Sequence, residues 1–333
     1  MGMMVAFALL PTVAAAQVTP SQCTAAERYS ASHRGIAVLV LQDGKIVCEV
    51  YTGSNASTAN ELWSGTKSFV GIMAAAAVQD GLLTLDELAA DTLVEWKGDP
   101  RKSTITLRQL LSMSAGQGGV IGRPPSYADA VRAPLASTPG TRFEYGPTPM
   151  QLFGEIMRRK LIAKGLDGNP LNYLKRRILD PIGLTIGSWR DGPDGNPLLP
   201  QGASLTSRNW AKLGEFVRNG GRLQGKPLVD PAAFDALFQP SALNPAYGLT
   251  WWLPHSPKMA DPVTAGSDLG AHAADLPVDI VTAAGAGDQR MYVIPSLRLT
   301  IVRQARLDIA ALTRGEKSGW SDFAFLQTIG VRR

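Results

Sequence analysis

Apolar positions alternate or run in short blocks near both ends of the chain and recur at helical spacing in the middle. Residues 35–41 and 45–51 are strand-like apolar runs joined by Gln42-Asp43-Gly44. An Asp-Gly step between two such runs predicts a hairpin, because these residues tolerate the positive φ of a tight turn. A short helix is expected ahead of it, over 23–32. Behind it, the nearly unbroken apolar run 69–78 predicts a buried helix over 64–80, stopped by Asp80-Gly81. Helical patterns and Pro/Gly loops then dominate 82–200, with helices expected from Thr106 onward, over 149–163 and over 170–179. Another helix is expected over 204–219, starting near Thr206-Ser207 and closed by Gly220-Gly221. Strand signals return at 249–253, 279–283, 290–294 and 297–303, and a last helix is expected over 320–329. Strands at both ends and helices between them imply an α+β fold. The simplest form is one antiparallel sheet built from both chain ends and flanked by helices, with a mostly helical domain inserted. The expected division is 17–80 plus 201–333 for the sheet domain and 81–200 for the insertion.

Composition allows this size of core. The 333 residues are 45% hydrophobic and 18% charged, which excludes wholesale disorder and suggests about two domains. The net charge of +5 is spread along the chain. The basic clusters Arg158-Arg159-Lys160 and Lys175-Arg176-Arg177 are short, sit in expected helices and lack interleaved aromatics, so they read as solvated faces and not as a nucleic-acid surface. At the N-terminus, apolar residues 5–10 and Ala14-Ala15-Ala16 before Gln17 resemble an export signal over 1–16, although no basic stretch precedes them. Export places the protein in the periplasm or outside the cell. The run is short for a membrane span, and no later stretch is one. The two cysteines, Cys23 and Cys48, can be joined in an exported chain, and two unpaired buried thiols fit the sequence as well. Neither reads as a nucleophile.

The chemistry concentrates at Ser64-Gly65-Thr66-Lys67. Residues three apart share a helix face, so Lys67 can reach the Ser64 oxygen. Serine needs a base to become a nucleophile, and a desolvated lysine can serve as one. The motif opens the buried helix, whose N-terminal amides and dipole favour an oxyanion and a neutral lysine. A second element, Pro139-Gly140-Thr141-Arg142-Phe143-Glu144-Tyr145-Gly146-Pro147, puts Tyr145 in a loop just before a helix, where a phenol can relay a proton. A third is the small-residue strand edge Ala283-Ala284-Gly285-Ala286-Gly287-Asp288-Gln289, where a substrate can approach main-chain N–H groups. Taken singly, each also fits an ordinary cap, packing residue or glycine turn.

Together and in this order they resemble the superfamily of serine β-lactamases and penicillin-binding proteins, closest to its class C-like branch, over roughly residues 25–305. Further stretches carry the likeness: Ile105 to Gly116, Pro139-Gly140-Thr141, Leu179-Asp180-Pro181-Ile182-Gly183-Leu184 and Gly202 to Asn209. The resemblance implies Ser64 as nucleophile, Lys67 as its base and Tyr145 as the tyrosine of a Tyr-x-Asn element. It implies an oxyanion hole from the backbone N–H groups of Ser64 and Ala286. Two departures narrow it. Pro147 stands where that element has asparagine, and Ala283-Ala284-Gly285 stands where β-lactam-processing members carry Lys-Thr-Gly or His-Thr-Gly to hold a substrate carboxylate. Members without that triplet resemble esterases and 6-aminohexanoate-oligomer hydrolases. The expectation is an exported serine hydrolase cleaving a small ester or amide through an acyl-enzyme, with no metal or organic cofactor required. The alternatives are a β-lactamase or D-amino-acid peptidase, and a catalytically silent sensor or binding module. The Pro/Gly-rich stretch 254–278 is expected to wall the site, with Trp251, Trp252, Asp268 and His272 beside Gly285 as lining candidates; a solvated insertion fits equally. No Gly-x-Ser-x-Gly elbow, metal-ligand spacing or dinucleotide fingerprint competes.

Overall fold

The structure, a computed structural model, describes residues 17–253, 264–316 and 318–333; the expected export segment 1–16 lies outside them. Helix α1 (Pro20–Ser32) starts with a capping box: Thr19 Oγ1 accepts from the Gln22 amide while Gln22 Oε1 accepts from the Thr19 amide. Strands β1 (Gly35–Gln42) and β2 (Lys45–Tyr51) form the expected hairpin, turning on Asp43 and Gly44 at φ of 52° and 74°. Strands β3 (Val281–Gly285), β4 (Gln289–Ile294) and β5 (Leu299–Ala305) come from the other end of the chain. The sheet order is β2-β1-β5-β4-β3, antiparallel throughout, with Leu39 of β1 opposite Val302 of β5.

The period-two alternation gives the sheet two apolar faces. Val38, Val40, Tyr292, Ile294 and Ile301 face Ala26 of α1 and Phe325, Leu326 and Ile329 of α5 (Asp322–Ile329). Leu39, Met291, Val293 and Val302 belong to the other core, with Trp210, Leu213 and Phe216 of α4 (Ser207–Arg218) and with α2 (Lys67–Gln79). Helix α2 is buried from Lys67 to Ala77, as a helix apolar on every side must be. That core continues into 81–200, where Met150, Phe153 and Ile156 of α3 (Thr148–Ala163) pack with Leu107 and Leu110. The disulfide Cys23–Cys48 ties α1 to β2 across a Cα separation of 5.5 Å.

Several expectations shift. The segment 64–80 is not one α-helix: a 3-10 turn (Trp63–Thr66) precedes α2, so Ser64 lies ahead of the helix proper. The expected strand at 249–253 is reduced to isolated bridges, Tyr247 with Trp252 and Trp252 with Thr282, because Thr250 at φ 71° bends the backbone out of extension. Short helices Tyr127–Arg132, Pro231–Ala236 and Ile309–Thr313 were not legible in the apolar pattern. No helix among the described residues is long and apolar enough to cross a membrane.

Candidate active site

Ser64 is held by backbone geometry before any chemistry begins. Its turn is anchored by Ala203: the Leu62 amide donates to Ala203 O at 2.9 Å, and the Ala203 amide donates to Thr66 Oγ1 at 3.2 Å. Trp63, next to the serine, takes φ 49°, a conformation uncommon outside glycine and typical of over-determined functional turns. Lys67 opens α2 with only 3% of its surface exposed. Its Nζ lies 3.0 Å from Ser64 Oγ and donates to Pro200 O at 3.1 Å. No carboxylate among the described residues balances this amine, so loss of water drags its pKa from 10.5 down to about 7.

Tyr145 arrives on a loop strapped to 113–119. The Glu144 amide donates to Met113 O at 2.7 Å, and the Thr148 amide donates to Gly118 O at 3.2 Å. Gly146 is obligatory there, since a Cβ would lie 1.8 Å from Gly118 O. The Lys67 ammonium position lies 4.8 Å from the centre of the Tyr145 ring. Trp252 and Tyr247 pack the same ring at centroid distances of 5.3 and 6.0 Å. Burial pushes the Tyr145 phenol up to about 12, against the opposing pull of the Ser64 hydroxyl and the Arg290 charge.

The strand edge closes the third side. A Cβ on Gly285 would lie 2.0 Å from Leu62 O and 3.0 Å from Gly65 N, so β3 meets the Ser64 turn backbone to backbone. Ala286 follows, half-buried, in the turn to β4. Gln289 clamps that turn: Nε2 donates to Ala305 O at 2.6 Å and Oε1 accepts from the Ala305 amide at 3.1 Å.

Ser64, Lys67, Tyr145, Gly285 and Trp252 are thus gathered in one place. Trp251 is buried against Phe238, with ring centroids 5.5 Å apart. Asp268 and His272 are not partners of the Ser64 cluster. Asp268 caps the start of α5 through Ser321 Oγ and the Phe323 amide, and His272 stacks on Phe323 at 3.8 Å. Both were expected as lining residues because they sit in a long loop; tertiary contact with α5 claims them instead. Residues 254–263 of that loop lie outside the described residues. Ala283 and Ala284 are buried in β3 and bring neither charge nor hydroxyl. Pro147 precedes α3 without a side-chain cap. Sequence reasoning missed the Pro200 carbonyl, the buried Tyr247 and the buried Arg290–Asp322 pair; of these only the last had a signal, an arginine inside an apolar strand. Among the described residues no group of three or more His, Cys, Asp or Glu converges as a metal site.

The family model described as Beta-lactamase matches residues 21–305. Among curated proteins, "Lovastatin esterase" of Penicillium rubens is 28% identical over 156 residues, covering 37% of this chain and 38% of that protein. The chain spans under two fifths of the length of the curated relatives it matches first. A putative β-lactamase from Bacteroides dorei superposes with a TM-score of 0.71 at 19% identity, over 93% of this chain and 97% of the other. A putative 6-aminohexanoate-dimer hydrolase from Bacillus anthracis gives 0.67 at 18%, over 87% and 79%. These structural likenesses are of fold.

Proposed function

Because the chain belongs to the Beta-lactamase family, we propose that it is an exported serine hydrolase that opens an ester or linear amide through an acyl-enzyme on Ser64. One observation carries this reading: a buried lysine amine lies 3.0 Å from Ser64 Oγ, and its loss of water pulls its pKa down to about 7. A neutral Lys67 keeps an N–H for Pro200 O and turns its lone pair to the serine hydroxyl. Ser64 Oγ then attacks the substrate carbonyl carbon as its proton passes to Nζ. The developing oxyanion is received by the backbone N–H groups of Ser64 and Ala286. Collapse breaks the bond to the leaving group, which takes a proton through Tyr145. Water adds to the acyl-enzyme by the reverse proton path, releasing the acid and free Ser64.

The ester or amide preference rests on Ala283-Ala284-Gly285, which offers nothing to hold a substrate carboxylate, and on Pro147 in place of an amide side chain. The names of the fungal esterase and of the 6-aminohexanoate-dimer hydrolase point the same way. The test is turnover of p-nitrophenyl butyrate, a chromogenic cephalosporin and a linear 6-aminohexanoate dimer by wild type and Ser64→Ala. Ester or amide turnover that vanishes in Ser64→Ala is expected. Faster turnover of the cephalosporin would reassign the substrate, a stable Ser64 adduct without turnover would indicate a sensor, and full activity in Ser64→Ala would overturn the mechanism.

A further inference from the structure

Arg290 is a fully charged side chain placed where sequence pattern asks for an apolar one. It lies on β4, opposite Ala284 of β3, and is 1% exposed. Its Nε donates to Asp322 Oδ1 at 2.9 Å, and Asp322 also accepts from Trp320 Nε1 at 2.9 Å and from the Tyr292 hydroxyl. Its Nη1 donors go to main-chain oxygens of the β3–β4 hairpin and its Nη2 to the preceding loop. Nη1 donates to Gly285 O at 3.4 Å and to Gln289 O at 3.2 Å, and Nη2 donates to Ala265 O at 3.4 Å. Gly285 and Gln289 are the closing pair of that hairpin, so one guanidinium bridges both ends of the turn.

The consequence follows from peptide geometry. The Gly285 carbonyl and the Ala286 N–H belong to one planar peptide unit, and in a trans unit they point in opposite directions. A cation fixed on the carbonyl side therefore sets the direction of the N–H on the other side. It also polarises the unit, drawing density toward the oxygen and leaving the N–H a stronger donor. We infer that Arg290, held by Asp322, is a positioning residue for the oxyanion site: it aims and strengthens the Ala286 N–H from behind the strand. This rests on the acyl-enzyme reading given above. The neighbourhood supports a directed charge. Asp288 Oδ1 lies 3.6 Å from Nη2, Tyr292 shares Asp322, and Arg303 on the adjacent strand spends its own donors on the Asp288 and His33 carbonyls. Arg303 is the cross-strand neighbour of Arg290 in the β4–β5 register, yet only Arg290 reaches the Gly285 carbonyl.

The test compares Arg290→Met/Asp322→Asn, which removes both charges together, with Arg290→Lys, which keeps the buried cation and its counter-ion. Each is assayed with p-nitrophenyl butyrate and with phenylboronic acid, whose boron accepts a lone pair from Ser64 Oγ and becomes a tetrahedral anion mimicking the oxyanion. The double variant should lose about tenfold or more in kcat, the scale on which losing an outer hydrogen-bond partner weakens a metal-binding side chain, with KM within about twofold. Phenylboronic acid affinity should fall by a similar factor. Arg290→Lys should show the same pattern at smaller size, because an ammonium keeps the charge but not the fork. Wild-type kcat and phenylboronic acid affinity in either folded variant, or a change confined to KM, would overturn the inference. Ser64→Ala run alongside separates the two readings: if it retains turnover, the acyl-enzyme reading fails, whereas if it is inactive and the Arg290 variants are unaffected, only the inference fails.

Discussion

Lys67 has to be buried without a counter-charge to be useful. Its two hydrogen-bonding neighbours, Ser64 Oγ and Pro200 O, satisfy it without neutralising it. A carboxylate in either place would raise its pKa and leave it protonated at neutral pH. The sign of the pH dependence follows. Below about 7 the amine is charged and cannot accept the Ser64 proton, so kcat/KM should rise with pH through about 7 and then level off, read from an ester pH profile. Lys67→Arg, permanently charged, should lose activity across that whole range. The same depression touches stability. Between about 7 and 10.5 the unfolded chain binds a proton at Lys67 that the folded chain does not, so this group's destabilisation is complete below 7 and fades as pH rises toward 10.5. Tyr145→Phe should lower kcat by about 10²–10⁴ while the ring keeps its contacts with Trp252 and Tyr247, leaving the melting temperature near wild type. At this scale the grouping of Ser64, Lys67 and Tyr145 in space could be read from motif and order. The Pro200 carbonyl could not, because a main-chain oxygen carries no side-chain signature.

At the scale of elements the site is a junction of three backbones: the Ser64 turn, the 113–119 strap behind Tyr145 and the edge of β3. Gly285 is where two of them touch. Gly285→Ala would drive a Cβ into Leu62 O and Gly65 N, backbone atoms that no rotamer change can move. The expected result is a loss of about 1–3 kcal/mol in stability from overpacking. Turnover should fall about 10²-fold or more as the strand edge is displaced from Ser64, measured by thermal melts and ester kinetics on the same preparation. The hairpin at Asp43-Gly44 and the capped helices were legible because their signals are local: turn glycines, capping threonines and an apolar stripe. The strand expected at 249–253 failed because a non-local contact overrides propensity. Thr250 turns to φ 71° and its Oγ1 accepts from the Gly71 amide at 3.1 Å, which lets α2 pass against it at a glycine. The contacts of Asp268 and His272 with α5 were not legible for the same reason, since nothing near them in sequence announces that helix.

Across the whole molecule, the α+β sheet of both chain ends was readable from where strand patterns cluster, while the sharing of one core between α2 and 81–200 was not, because apolar periodicity does not say which helices meet. The Cys23–Cys48 bond closes a loop of sequence separation 25 on the far side of the sheet from α2. By loop-closure entropy it should contribute about 3.5 kcal/mol. Reduction should therefore lower the melting temperature in a calorimetric scan while leaving ester kcat unchanged below the transition. The strand order has a consequence for how the protein is made. β1 is flanked by β2, its hairpin partner, and by β5, which follows it by more than 250 residues. A ribosome delivers the β1–β2 hairpin first, and it must wait, with one edge open, until residues 299–305 have emerged. Such distant pairing makes for slow folding. The Ser64 turn rests against Gly285, so the cluster around Ser64 cannot close until β3, more than two hundred residues further along, has been made.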